Sequence, residues 1–142
     1  MVAKGLHIEE LEEFIKSAFL NDDDIVSIYD KNVPVNNTED VCKNVYEKIT
    51  SLKETPQMRG VYADGVKIGY FVFMPSILIS FGININYREY KYLIRFWGLI
   101  KEEINTNFQC YLFDYNVRAI QWLKKCGMNI LFENVTILQI CH

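Results

Sequence analysis

Asp64-Gly65 stands between two runs of β-forming residues, Met58 to Ala63 and Val66 to Met74. An Asp-Gly pair in that setting is the strongest short-range hairpin signal, because both central turn positions require positive φ. Pro75-Ser76 makes the next turn, and Ile77 to Ile85 reads as a third strand. Three strands in an antiparallel meander follow. The period then changes. Tyr90, Leu93, Ile94, Trp97, Ile100 and Ile104 fall at three- and four-residue spacing and predict a helix from Tyr87 to Ile104, closed by Asn105-Thr106-Asn107. Phe108 to Phe113 is a strand. Asn116 to Cys126 is a helix with Ala119, Ile120 and Leu123 facing inward and Gly127 just past its end. Asn129 to Phe132 and Val135 to Cys141 form a last hairpin.

The chain ahead of the meander is helical. Ile8, Leu11, Phe14, Ile15, Ala18 and Phe19 make one apolar stripe. Asn21-Asp22-Asp23-Asp24 ends that helix as a solvated run, since it lacks the alternating ligands and closing Glu of a calcium loop. Ile25 to Tyr29 is a short strand or a buried loop, and Asn32 to Asn37 is a loop. A second helix starts with Thr38 as N-cap, has Glu39 and Asp40 in its first turn, and buries Val41, Cys42, Val45, Ile49 and Leu52. Ala3 to His7 is too short to count as a strand. The order predicts an α/β protein, a mixed sheet with helices on both faces.

The chain has 142 residues, which suits a single domain over 1–142. Its net charge of -3 conceals a polarity: residues 1–56 carry twelve acids and six bases, residues 57–142 six acids and nine bases. The overall acidity argues against nucleic acid held by bulk charge, even though Tyr87, Tyr90 and Tyr92 lie beside Arg88 and Arg95. No stretch approaches the ~20 apolar residues of a membrane span, and the acidic N-terminal run is unlike a signal peptide. Cys42, Cys110, Cys126 and Cys141 lack metal-ligand spacing, and the two histidines, His7 and His142, sit at the ends. Four reduced thiols in a cytoplasmic protein, with no metal and no membrane partner, is the expectation.

Two local runs carry more. One is Asn116-Val117-Arg118-Ala119-Ile120-Gln121-Trp122-Leu123-Lys124-Lys125-Cys126-Gly127-Met128, the other Gly60-Val61-Tyr62-Ala63-Asp64-Gly65-Val66-Lys67-Ile68-Gly69-Tyr70-Phe71. With the element order, they resemble the GNAT N-acetyltransferase superfamily. In that superfamily an Asn opens the helix after the fifth strand, an Ala-Ile pair follows, then an aromatic, a basic pair and a Gly. The acidic helical lead spans 1–56, and the resemblance implies that the sheet-forming half over 57–142 binds the cofactor. It implies a fourth and a fifth strand that run parallel and then splay, so that the pantetheine arm of acetyl-CoA pairs with the fourth. Here the binding segment would be Gly82-Ile83-Asn84-Ile85, with the pyrophosphate at the N-terminus of the following helix, Asn86-Tyr87-Arg88-Glu89, and Asn116 near the cofactor. Asn116 is also a helix cap by residue type. The function so implied is transfer of an acetyl group from acetyl-CoA to an amine.

Two departures point the other way. The superfamily's Gln/Arg-x-x-Gly-x-Gly/Ala phosphate loop reads Asn84-Ile85-Asn86-Tyr87-Arg88-Glu89-Tyr90 here, with no glycine after Gly82. The tyrosine that many members use as general acid aligns with Leu123. Tyr111, Tyr115 and Glu89 are the nearby groups that could carry proton chemistry in its place. The alternative is a GNAT-fold protein that has lost acetyl-CoA and serves as a structural or interaction module. A narrower likeness, to GNAT-like proteins of tailed bacteriophages of the internal virion type, rests on Asp22-Asp23-Asp24-Ile25-Val26-Ser27-Ile28 and on Asn116 to Gly127. It implies phage-particle partners, or a homodimer, and a place in the host cytoplasm or the virion.

Overall fold

Asp64 and Gly65 both take positive φ, 50° and 79°, and fold β2 (Gln57–Ala63) onto β3 (Val66–Met74). The computed structural model describes residues 1–22, 24–25, 35–112, 117–132 and 136–140. Ser76, at φ 66°, turns β3 onto β4 (Ile77–Ile83). Both pairings are antiparallel, as expected of the meander. β1 (Val2–Gly5) adds antiparallel to β2, with Val2 opposite Tyr62 and Gly5 opposite Arg59. Four residues with two lysine-and-glycine positions carry little strand propensity of their own. Pairing along the free edge of β2 makes them a strand, a tertiary effect that overrides local preference.

Helix α1 (Ile8–Ala18) and helix α2 (Thr38–Thr50) follow the predicted stripes. The cap of α2 is Asn37, not Thr38: the Asn37 side chain accepts from the backbone N–H of Asp40 at 2.9 Å. Thr38 is the first helical residue instead. Leu52 lies beyond the helix and stays part-exposed. The segment after Ile25 expected as a strand or loop lies outside the described residues.

Helix α3 (Tyr90–Ile104) ends on Asn105 in the left-handed region, with φ 52°. It is the crossover between β4 and β5 (Gln109–Leu112), which run parallel. A parallel pair needs such a crossover because no tight turn can return the chain to the same direction. Helix α4 (Val117–Lys125) then leads to β6 (Met128–Phe132) and β7 (Thr136–Ile140), an antiparallel hairpin whose second strand returns to β5. The sheet order is β1-β2-β3-β4-β5-β7-β6.

Because β3 is central, both its faces are apolar. Tyr70 and Val72 join Leu11, Phe14, Ile15, Phe19, Val45 and Ile49 under α1 and α2. Phe71 and Phe73 join Phe96, Trp97, Ile100, Trp122 and Leu123 under α3 and α4. Each large side chain wholly withdrawn from water contributes about 1.5–3 kcal/mol. The expected two-sided α/β architecture is therefore the observed one.

A parted strand pair and the turn that follows it

β4 and β5 pair at two positions, Ile77 with Gln109 and Leu78 with Cys110. Immediately afterwards β4 bulges. Val72 opposes Ser80 while Phe73 opposes Leu78, so Ile79 is an extra residue in β4. A bulge bends and twists its strand, and here it turns β4 away at the point where its pairing with β5 stops. β5 continues with β7 as far as Leu112 opposite Thr136. Among the described residues, the backbone of β4 from Ile79 onward has no strand partner on the β5 side.

Aromatic rings fill the sheet face below this parting. Phe81 of β4 lies 6.0 Å from Trp122, centroid to centroid, and Trp122 stands edge-on to Trp97 at 5.7 Å. Trp97 and Trp122 are buried core residues. Their Nε1 groups are buried without a hydrogen-bond partner among the described residues. Tyr87 is partly buried against this core and packs edge-on to Tyr92 at 5.2 Å.

The chain leaves β4 at Ile83, two residues earlier than expected. Asn84 is the cause. It is buried, its N–H donates to the Ile68 carbonyl at 2.7 Å, and its Nδ2 donates to the Ala18 carbonyl at 2.9 Å. Its Oδ1 accepts from the Asn86 N–H at 2.9 Å and caps a single 3-10 turn over Ile85–Tyr87. Helix α3 therefore begins at Tyr90 rather than Tyr87, with Glu89 in the cap position and no side-chain cap bond. Asn86, Tyr87 and Arg88 form the turn before the helix instead of opening it.

Arg88 does not face outward as a waiting cation. Its Nε donates to the Ile83 carbonyl at 2.9 Å, and its guanidinium donates to Asp22 Oδ2 at 2.8 Å. The same carboxylate oxygen accepts from the Ile85 N–H at 3.0 Å. Asp22 has no exposed side-chain surface, so the expectation of a solvated acidic run fails at its first aspartate. Burial pushes the Arg88 guanidinium below its ordinary range, while the Asp22 charge opposes that shift and Arg118 adds to it.

Among the other candidates, Gly82 has a packing reason to be glycine. A Cβ there would come within 2.8 Å of the Phe19 ring and 3.2 Å of the Tyr70 ring. Ile83 is buried at the end of β4, and Ile85 is exposed. Glu89 is exposed and lies 3.7 Å from Lys91. Tyr111 belongs to β5 by its backbone, opposite Ile137. Tyr115 and Asn116 lie outside the described residues. Leu123 is wholly buried.

Two participants escaped sequence reasoning. Asp22 meets Arg88 across more than sixty residues, and no local spacing announces such a contact. Asn84 is a candidate by sequence, but its bond to the Ala18 carbonyl is equally distant along the chain. The second is a hydroxyl pair beside the bulge, Tyr70 Oη and Ser80 Oγ at 2.8 Å. Ser80 is polar within an apolar strand, which is the one signal that could have marked it.

A cleft of about 460 Å³ lies at the opposite end of the sheet, where His7 and Glu9 face Pro56 and Arg59. Among the described residues, no group of three or more His, Cys, Asp or Glu is placed to hold a metal ion, and no helix is long and apolar enough to cross a membrane.

No family model matches the sequence, and no curated protein matches it. Solved structures do. The chain is similar to the PaiA N-acetyltransferase from Thermoplasma acidophilum in complex with coenzyme A, at 18% identity over 100% of both chains and a TM-score of 0.62. It is similar to AAC(6')-Ib in complex with ribostamycin and coenzyme A, at 13% identity over 97% of this chain and 90% of that one, with a TM-score of 0.69. An aminoglycoside N(6')acetyltransferase from Legionella pneumophila matches at 12% identity over 99% and 91% of the two chains, with a TM-score of 0.67. What these proteins share with the chain is the fold, and the fold is the α/β GNAT fold.

Proposed function

We propose that the protein is a GNAT-type N-acyltransferase that moves an acetyl group from the thioester of acetyl-CoA to an amine. The observation that carries this reading is the parting of β4 from β5 at the Ile79 bulge. Among the described residues it leaves a strand edge of unpaired backbone groups, and an extended amide-bearing arm adds to such an edge as a strand would. Two of the similar structures hold coenzyme A, which supports the same reading.

In that reaction the amine nitrogen attacks the thioester carbonyl carbon. The C–N bond forms as the C–S bond breaks, the amine loses one proton to a base or to water, and the departing sulfur takes one up. In this reading backbone N–H groups of β4 past the bulge polarise the carbonyl oxygen. The Tyr70–Ser80 hydroxyl pair lies beside the bulge and is suited to pass a proton. Tyr111, Tyr115 and Glu89 stay candidates for the base or the acid, and Asn116 for a cofactor contact. The place of action is the cytoplasm.

Calorimetry and thermal unfolding with millimolar acetyl-CoA test the reading. Heat of binding and a raised Tm are expected, and neither heat nor shift would overturn it. Thiol release in the presence of an amine panel then identifies the acceptor.

One observation favours a second reading, a scaffold that has lost the chemistry, with phage-particle partners or a second copy of itself. It is the buried Leu123 at the general-acid position. Self-association without turnover supports that reading, and a monomer that acetylates an amine removes it.

A further inference from the structure

From Asn84 to Arg88 the turn after β4 has no backbone amide left to offer a phosphate, which leaves that role to the first-turn amides of α3. The N–H of Asn84 donates to the Ile68 carbonyl, that of Tyr87 to the Asn84 carbonyl, and that of Arg88 to the Ile85 carbonyl. The N–H of Asn86 donates to Asn84 Oδ1, and that of Ile85 to Asp22 Oδ2. All five amides from 84 to 88 are thus satisfied inside the chain. The one cation in the turn is satisfied too: Arg88 holds Asp22 at 2.8 Å and the Ile83 carbonyl at 2.9 Å. An anion of the protein already sits where an anionic ligand would be gripped. Asp22 neutralises Arg88 beneath the surface, so a diphosphate brought to the turn finds no free cation in it. The edge of β4 from Ile79 to Ile83 is in the opposite condition, open on its β5 side among the described residues.

From this contrast we infer that the acyl donor is recognised through its pantetheine thioester arm, with the diphosphate adding little. The substrate class is acyl-pantetheine thioesters, whether the arm belongs to coenzyme A, stands free, or is carried on a protein. The inference rests on the acyltransferase reading and narrows it. Pairing of the arm with the strand edge supplies the binding energy. Asp22 removes the increment that charge-assisted bonds to phosphate would otherwise add.

The test compares coenzyme A with pantetheine, which has the same arm and thiol and no phosphate. Calorimetric titration of the wild-type protein is expected to give dissociation constants within about fivefold of one another. Asp22→Asn and Asp22→Ala, checked for a cooperative melt, free Arg88 and the Ile85 N–H. They are expected to tighten coenzyme A by about tenfold and to leave pantetheine unchanged. A wild-type preference for coenzyme A of about fiftyfold or more overturns the inference and leaves the acyltransferase reading standing. Failure of both ligands to bind the wild type overturns the acyltransferase reading and this inference with it. The wild-type ratio decides the matter even where neither variant folds. An acyl-carrier protein bearing the phosphopantetheine arm forms a third arm of the experiment. Binding tighter than pantetheine assigns the donor to a carrier, and equal binding assigns it to the free thioester; the inference holds in both cases.

Discussion

The carboxylate of Asp22 and the guanidinium of Arg88 meet at 2.8 Å across 66 residues of sequence, and the carboxylate has no solvent-exposed surface. Removing one member of such a pair leaves a buried charge uncompensated. Arg88→Met is expected to cost about 3 kcal/mol in urea unfolding. The double variant Asp22→Asn/Arg88→Met is expected to cost less than Arg88→Met alone. Additive losses in the cycle would show that the two charges do not couple.

Gly82 gives way to Phe19 in the bulged half of β4. A methyl group there meets the ring at 2.8 Å, closer than carbon atoms approach without displacement. Gly82→Ala is expected to lower stability by about 1–3 kcal/mol through overpacking. Pairing it with Phe19→Leu makes room and recovers part of the loss. Thermal unfolding of the two variants separates this packing cost from a cofactor contact at Gly82, which Phe19→Leu would not repair.

Replacing the wholly buried Leu123 by tyrosine does not install a general acid. Leu123 has no exposed surface, so the larger side chain must displace its neighbours in the core. Leu123→Tyr is expected to destabilise by about 1–3 kcal/mol and to leave thiol release from acetyl-CoA unchanged. A rise in turnover would mean that the position reaches the thioester after all.

Burial pushes the Cys110 thiol up to about 12 from its ordinary 9.0, and Cys42 up to about 11. A thiol raised on folding stays protonated in the native state while the unfolded chain ionises. Stability is therefore full below about pH 9 and falls as the pH climbs from there toward the native value, by about 1.4 kcal/mol per pH unit per thiol. Unfolding at about pH 8 and about pH 10 should show the advantage of wild type over Cys110→Ala shrinking by about 1.4 kcal/mol. An advantage that is constant with pH would place the Cys110 thiol in contact with water.

Periodicity and turn chemistry are local, and what they govern was legible. The Asp64-Gly65 hairpin, the stripes of α1, α2 and α3, and the two-sided sheet all follow from spacings within about ten residues. β1 was not legible, because its residues become a strand by pairing with β2 and not by their own preference. The end of β4 was not legible either. Ile83-Asn84-Ile85 reads as continuous strand until Asn84 finds the Ala18 carbonyl on another element. At the candidate site, the absence of glycine after Gly82 and the leucine at 123 were visible in the sequence. That Arg88 would be spent on Asp22 was not, since an exposed and a paired arginine look alike in one dimension.

The narrow joint between β4 and β5 also shapes how the sheet assembles. β2, β3 and β4 are near neighbours in the chain and can zip from their turns. The two pairs joining β4 to β5 enclose the 31 residues between Ile77 and Gln109, including all of α3. Closing that loop costs chain entropy before two short pairings repay it, which makes non-local parallel pairing slow. The meander should gain amide protection first and the β5–β7 half later, an order that pulse-labelled hydrogen exchange during refolding reads directly. Simultaneous protection of β3 and β5 would contradict it. The seam proposed to admit a ligand in the finished protein is then the seam that the folding chain closes last.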